Sequence, residues 1–102
     1  MFIQVQTTTD SEQAARRIAG ELVKRRLAGC VQVLGPIQSI YRWRGRVESA
    51  QEWLCLIKST RAAYERLEAA LRELHSYETP EIIALPIEGG SDEYLEWLSE
   101  SV

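Results

Sequence analysis

The chain has 102 residues, room for one domain with a real core but not for a catalytic domain plus a regulatory one. Its 12 basic and 15 acidic residues leave a net charge of −3, which gives no electrostatic footprint for a phosphate backbone and speaks against a nucleic-acid partner. No apolar run approaches the ~18 residues of a membrane span, no basic leader opens the chain, and two cysteines without a CxxC pair suit reducing cytosol. We therefore expect a single soluble, cytoplasmic domain over residues 1–102.

"FIQVQT" (2–7) alternates apolar and polar residues, the period of a half-buried strand. Thr9 or Asp10 can cap a helix, with Glu12 completing a capping box, and Ala15, Ile18, Leu22, Val23 and Leu27 recur on one face until Ala28 and Gly29 end it. Residues 30–59 form two long strands of a hairpin with its turn at Arg44 and Gly45. Gly35 and Pro36 interrupt the first arm, which should bend there and lie at a sheet edge. The second arm carries an unbroken apolar run, Trp53 to Ile57, so both faces of that stretch should be covered. A second helix begins at Ser59 or Thr60 and stops near His75, with Leu67, Leu71 and Leu74 on one face. "EIIALPI" (81–87) is a short strand closed by Gly89 and Gly90, and Ser91 or Asp92 caps a last helix containing "YLEWL".

The predicted order β, α, β, β, α, β plus a C-terminal helix is the ferredoxin-like split-βαβ arrangement of the α+β class, in which right-handed crossovers make strands one and three the central pair. With the turn at Arg44 and Gly45, Cys55 pairs near Leu34, four residues from Cys30. That is roughly 13 Å at strand rise, beyond disulfide reach. Arms of about a dozen residues reach ~40 Å, longer than the ~26 Å expected of a 100-residue domain, so the hairpin overhangs its own subunit. Two main helices cover only one side of a four-stranded sheet, and a second copy of the chain in a closed ring can cover the other.

"CVQV", "SIYRWRGRVE", "LIKST", "HSYETPEIIALPI" and "YLEWL", in this order and spacing, resemble the CutA family of divalent-cation tolerance proteins across nearly the whole chain. The resemblance implies a compact homotrimer similar in assembly to the PII signalling proteins, a role tied to divalent metals and to copper especially, and no settled enzymatic activity, so we expect no enzyme. The matched positions are Cys30, Tyr41, Trp43, Gly45, Lys58, His75, Tyr77, Glu78, Pro80 and Glu81. Two depart: Arg42 stands where an aromatic residue is common, and Ser76 where proline is common.

Three of these residues are candidate metal ligands. The His75 imidazole and the Glu78 carboxylate three residues on can share one divalent ion, and a thiolate from Cys30 would suit copper or zinc. Tyr41, Trp43, Lys58, Tyr77 and Glu81 are the candidates for a small-ligand or cofactor site, with Trp53 as a further aromatic wall. Each also has a plainer reading. His75 can be a cation at a helix C-terminus, Cys30 a small buried hydrophobe, the aromatics packing or interface anchors, and Lys58 to Thr60 an ordinary capping turn.

Other functions of this fold want residues that are missing. An RNA-recognition module needs a basic, aromatic motif on strand three, which here reads "RVESAQEWLCLIK". An acylphosphatase-like enzyme wants an arginine, and a copper chaperone CxxC, in the loop that here reads "TTTDSEQ". The expectation is a trimeric metal-responsive or small-ligand-sensing protein, with a structural trimer anchoring an unidentified protein partner as the alternative.

Overall fold

The computed structural model describes residues Met1–Val102 as strand β1 (Phe2–Thr9), helix α1 (Glu12–Lys24), strands β2 (Cys30–Trp43) and β3 (Arg46–Thr60), a 3-10 turn (Arg61–Ala63), helix α2 (Tyr64–Leu74), strand β4 (Ile83–Ile87) and helix α3 (Asp92–Ser101). The antiparallel sheet has the order β2-β3-β1-β4, with β1 and β3 central as the crossover rule requires. Both edges carry a proline, Pro36 on β2 and Pro86 on β4, where a missing N–H is harmless.

Alternation sorts the two faces. Ile3 and Val5 of β1 and Cys55 and Ile57 of β3 point to one side and pack with Ala15, Ile18 and Leu22 of α1 and Leu67 and Leu71 of α2. The residues that alternate with them, Gln4, Gln6, Leu54 and Leu56, and the cross-strand partners of those glutamines on β4, Ile83 and Leu85, point to the other side. Only α3, packed on β3, lies over part of that second face, held by Leu98, which is fully buried. Leu34, Ile83 and Leu85 remain exposed there, joined by Tyr94 and Trp97 of α3. The apolar run of β3 is therefore covered on one face and only half-covered at Leu54 and Leu56, because the sequence holds no third long helix to lie on them.

Several boundaries differ from the sequence expectation. Ser11, not Thr9 or Asp10, caps α1: its hydroxyl accepts from the Ala14 N–H at 3.0 Å, while the Thr9 hydroxyl donates to the Ser11 carbonyl. Residue 9 is held in β1 by pairing with Trp53 and cannot turn into the helix. Helix α1 ends at Lys24, before the expected Ala28, as Arg26 takes φ 58° and the Leu27 N–H returns to the Leu22 carbonyl. At the next junction β3 runs through Thr60, so Ser59 is a strand residue whose hydroxyl donates to the Leu27 carbonyl, and α2 starts at Tyr64. Strand β4 begins at Ile83 rather than Glu81.

The hairpin closes through Arg44 (φ 51°) and Gly45 (φ 79°), both left-handed, the two-residue turn whose twist matches the strands it joins. From there Trp43 pairs with Arg46 and Ile37 with Glu52, but the next pair is Leu34 with Leu54. Gly35 and Pro36 together oppose Trp53, a bulge that slips the register by one. Cys55 consequently faces Val33 rather than the expected Leu34, and both cysteines are free. Gly35 is required by contact: a Cβ there would sit 2.3 Å from the Trp53 indole, which lies across it. Beyond the bulge the hairpin leaves the helices behind and gives the molecule a long axis of 44 Å against 25 and 23 Å.

Candidate functional site

Where the hairpin overhangs, a cleft of about 740 Å³ opens between its outer half and the loop that follows α2. The hairpin supplies Ser39, Tyr41 and Trp43 from β2 and Glu52 from β3, four positions that alternation and register put on one face. Tyr77, Glu78 and Glu81 come from the loop, and Thr8 from the end of β1. Five of the residues singled out from sequence meet here: Tyr41, Trp43, Tyr77, Glu78 and Glu81.

His75 builds this site from behind. It is the C-terminal boundary residue of α2, its backbone N–H still bonded to the Leu71 carbonyl, and its ring is buried. Nδ1 accepts the Tyr77 N–H at 3.1 Å, which leaves the ring proton on Nε2 to donate to the Thr8 carbonyl at 2.7 Å. The imidazole thus ties the helix end to β1 and aims the following loop, stacking at 4.8 Å on the Tyr77 ring. The terminal carbonyl of α2, on Leu74, is met instead by the Arg17 guanidinium of α1 at 3.3 Å.

Tyr77 carries the effect into the cleft. Its hydroxyl donates to Glu52 Oε2 at 2.7 Å. Burial, followed by the bond to the Glu52 anion, holds the phenol well above its ordinary pKa, so it stays a proton donor. Glu52 is 7% exposed, and the sequence reading passed it over. Its signal was faint: an acid that continues the Leu54 and Leu56 alternation into the open face, at the edge of an apolar run. At the rim Glu78 pairs loosely with Arg44 of the hairpin tip, 3.8 Å apart and both largely exposed.

Three expected members lie elsewhere. Cys30 and Lys58 are paired neighbours in the cross-strand row that contains Gln4, whereas the His75 ring meets β1 at Thr8. Four residues of strand separate them, roughly 13 Å. Lys58 Nζ bonds the Gln32 side chain, and Cys30 lies beside Tyr94 of α3, whose phenol is pushed up by burial and by that thiol. Trp53 packs against the core from the helix-covered side, because its place next to Leu54 turns it away from the cleft. No three His, Cys, Asp or Glu side chains converge anywhere in the chain, and both His75 nitrogens are engaged, so the Cys30, His75 and Glu78 set does not assemble into a copper centre within one subunit.

A split-βαβ domain with a long overhanging hairpin, and a cleft between that hairpin and the loop ahead of the fourth strand, defines a small domain of the ferredoxin-like class. Residues 3–101 match the family described as "CutA1 divalent ion tolerance protein". The divalent-cation tolerance protein CutA of Thermus thermophilus is 49% identical over 94 residues, 92% of this chain and 91% of that one. The chloroplastic protein CutA of Arabidopsis thaliana is 42% identical over 99 residues, 97% of this chain but only 54% of that longer protein. Among solved structures, the divalent cation tolerance protein of Thermus thermophilus superposes with a TM-score of 0.97 at 48% identity, covering 99% of this chain and 98% of that one. The periplasmic divalent cation tolerance protein CutA of Archaeoglobus fulgidus does so at 0.96 and 36%, covering 99% and 98%. The chain belongs to the CutA family of divalent-cation tolerance proteins.

Proposed function

We propose that this chain is a non-catalytic sensor in the divalent-cation response, a cytoplasmic homotrimer of PII-like architecture that takes its ligand in the cleft beneath the hairpin. The cleft carries this reading, since it gathers Tyr41, Trp43, Tyr77, Glu78 and Glu81 from three separate segments into one cavity of small-molecule size. A role without catalysis agrees with the chemistry of its walls: the Tyr77 phenol is held protonated, and His75 spends both nitrogens on the fold. Copper favours imidazole and thiolate donors, which the cleft does not offer within one subunit, so direct chelation by this chain alone is a poor fit.

The trimer is supported by the open sheet face, where Leu34, Ile83, Leu85 and Trp97 lie exposed, and by the hairpin that extends past its own core. Relatives carry chloroplastic and periplasmic names; here no helix is long and apolar enough to cross a membrane. A structural or partner-anchoring trimer is the second reading, favoured by Val47, which is 67% exposed on the side of the hairpin away from the cleft.

Light scattering at micromolar concentration tests the assembly. The expected mass is about three times that of the 11.6 kDa chain, and a single-chain mass would sink the proposal. Cu²⁺ titration of the same sample separates the two readings. Saturable binding lost on Glu78→Gln or Glu81→Gln supports sensing, and a trimer indifferent to metals and small ligands supports anchoring.

A further inference from the structure

Glu52 is a buried charge that its own chain leaves unbalanced. It is 7% exposed, and its one hydrogen bond within the chain is the Tyr77 hydroxyl on Oε2. None of the ion pairs of the molecule includes it; they join Arg16 to Glu12, Arg25 to Glu21 and Glu73, Arg44 to Glu78, Arg61 to Glu65, and Arg72 to Glu68. Oε1 accepts nothing from the protein, and Glu52 lines the cleft. Oε1 is open to the cleft, so one oxygen of a largely covered carboxylate faces the cavity with no cation of its own chain beside it, and a positive charge entering the cleft would be favoured there.

The surroundings define what kind. A bound metal ion needs four or more donor atoms within about 2.0–2.6 Å, and no such convergence exists here. The cleft, at about 740 Å³, is far larger than a bare ion and falls in the range of small-molecule sites. Tyr77 is bonded to the carboxylate and Tyr41 lies near enough to act on the Tyr77 phenol, so two aromatic rings flank the acid, the arrangement in which ring faces attract an organic cation; Trp43 lines the same cleft farther out, toward the hairpin tip. The hairpin tip already shows this chemistry: the Arg44 guanidinium lies 5.4 Å from the Trp43 ring centroid while reaching for Glu78. Arg44 is 75% exposed, so that contact is loose.

We propose that the cleft binds a small organic cation, an alkylammonium or guanidinium compound, with Glu52 as its counter-ion and the rings of Tyr77 and Tyr41 as its walls. The proposal rests on the cleft being the ligand site and adds the class of ligand.

Calorimetric titration of the full chain with choline and with agmatine tests it, alongside 3,3-dimethylbutan-1-ol, the neutral counterpart of choline, and Cu²⁺. Saturable binding of at least one organic cation is expected, with none of the neutral alcohol. Glu52→Gln keeps an acceptor for Tyr77 and removes only the charge; it should weaken binding about tenfold or more. Tyr41→Leu, on the exposed outer hairpin where folding is not at stake, should weaken it several-fold. Equal binding of the neutral alcohol, or parent-like affinity in both variants, overturns the proposal. Cu²⁺ binding that depends on Glu52 without binding of either organic cation overturns the ligand class but leaves the cleft as a cation site. No binding of any probe overturns both.

Discussion

The inner and outer halves of β3 belong to one strand and live in different worlds. From Cys55 to Ser59, alternate residues are fully buried beneath α1 and α2, β1 pairs along one side and β2 along the other. From Arg46 to Gln51 the only neighbour is β2, and Val47 is 67% exposed. The inner half is stabilised by its own core, whereas the outer half owes its position to a two-residue turn and a ladder of hydrogen bonds. On the proposal that the cleft takes a ligand, stability and recognition fall to different ends of the same strand, and a substitution at one end should leave the other nearly untouched.

The largest contrast is Leu71→Ala against Val47→Ala. Leu71 is fully buried in the core, and its truncation should cost about 2–5 kcal/mol in urea unfolding at fixed protein concentration. Val47→Ala should cost less than about 0.5 kcal/mol in a subunit on its own. A large loss at Val47 would mean that its side of the hairpin is buried in the assembly.

Gly35→Ala attacks the joint between the halves. A methyl group there would meet the Trp53 indole at 2.3 Å, so either the ring or the bulge must move, at about 1–3 kcal/mol. Tryptophan fluorescence should shift with it. An unchanged spectrum and midpoint would show that the ring swings aside freely.

Cys55 offers a smaller, pH-dependent probe of the inner half. Burial pushes its thiol from 9.0 up to about 11. The unfolded chain therefore loses this proton first as pH rises, and the contribution is complete below about pH 9 and gone above about pH 11. By pH 10 roughly 1.4 kcal/mol should be lost. Cys55→Ala should flatten that part of the stability profile, and a slope that persists in the variant would assign the effect to another group. Cys30, on the half-exposed edge, should react with thiol reagents in the native protein while Cys55 does not.

The element order was legible because each segment carries its own period: the alternation of 2–7, the three- and four-residue steps of the two main helices, and Gly45 at the turn. What sequence could not decide was set by contacts between segments. Thr9, Asp10 and Ser11 are all good cap residues, and only the pairing of Thr9 with Trp53 hands the cap to Ser11. Gly35 and Pro36 announced a bend, yet the one-residue slip appears only when both are set against Trp53. The site divides in the same way. Tyr41, Trp43, Tyr77, Glu78 and Glu81 meet as expected of neighbours across a hairpin and a loop, but whether Cys30 could join them depended on its row in the sheet. Glu52 was no more conspicuous than Glu48 of the same arm, since nothing in its immediate sequence reveals a tyrosine 25 residues away.

The bulge at Gly35 and Pro36 also makes hairpin length a quantised variable. Everything from Ile37 outward follows an unbroken two-residue repeat to the turn. Adding one residue to each arm near the tip would rotate every side chain beyond the insertion to the opposite surface, carrying Trp43 out of the cleft and Arg42 into it. Adding two to each arm would restore the pattern and lengthen the arm by about 7 Å. A designer who wished to enlarge the cleft could therefore extend this hairpin only in even steps.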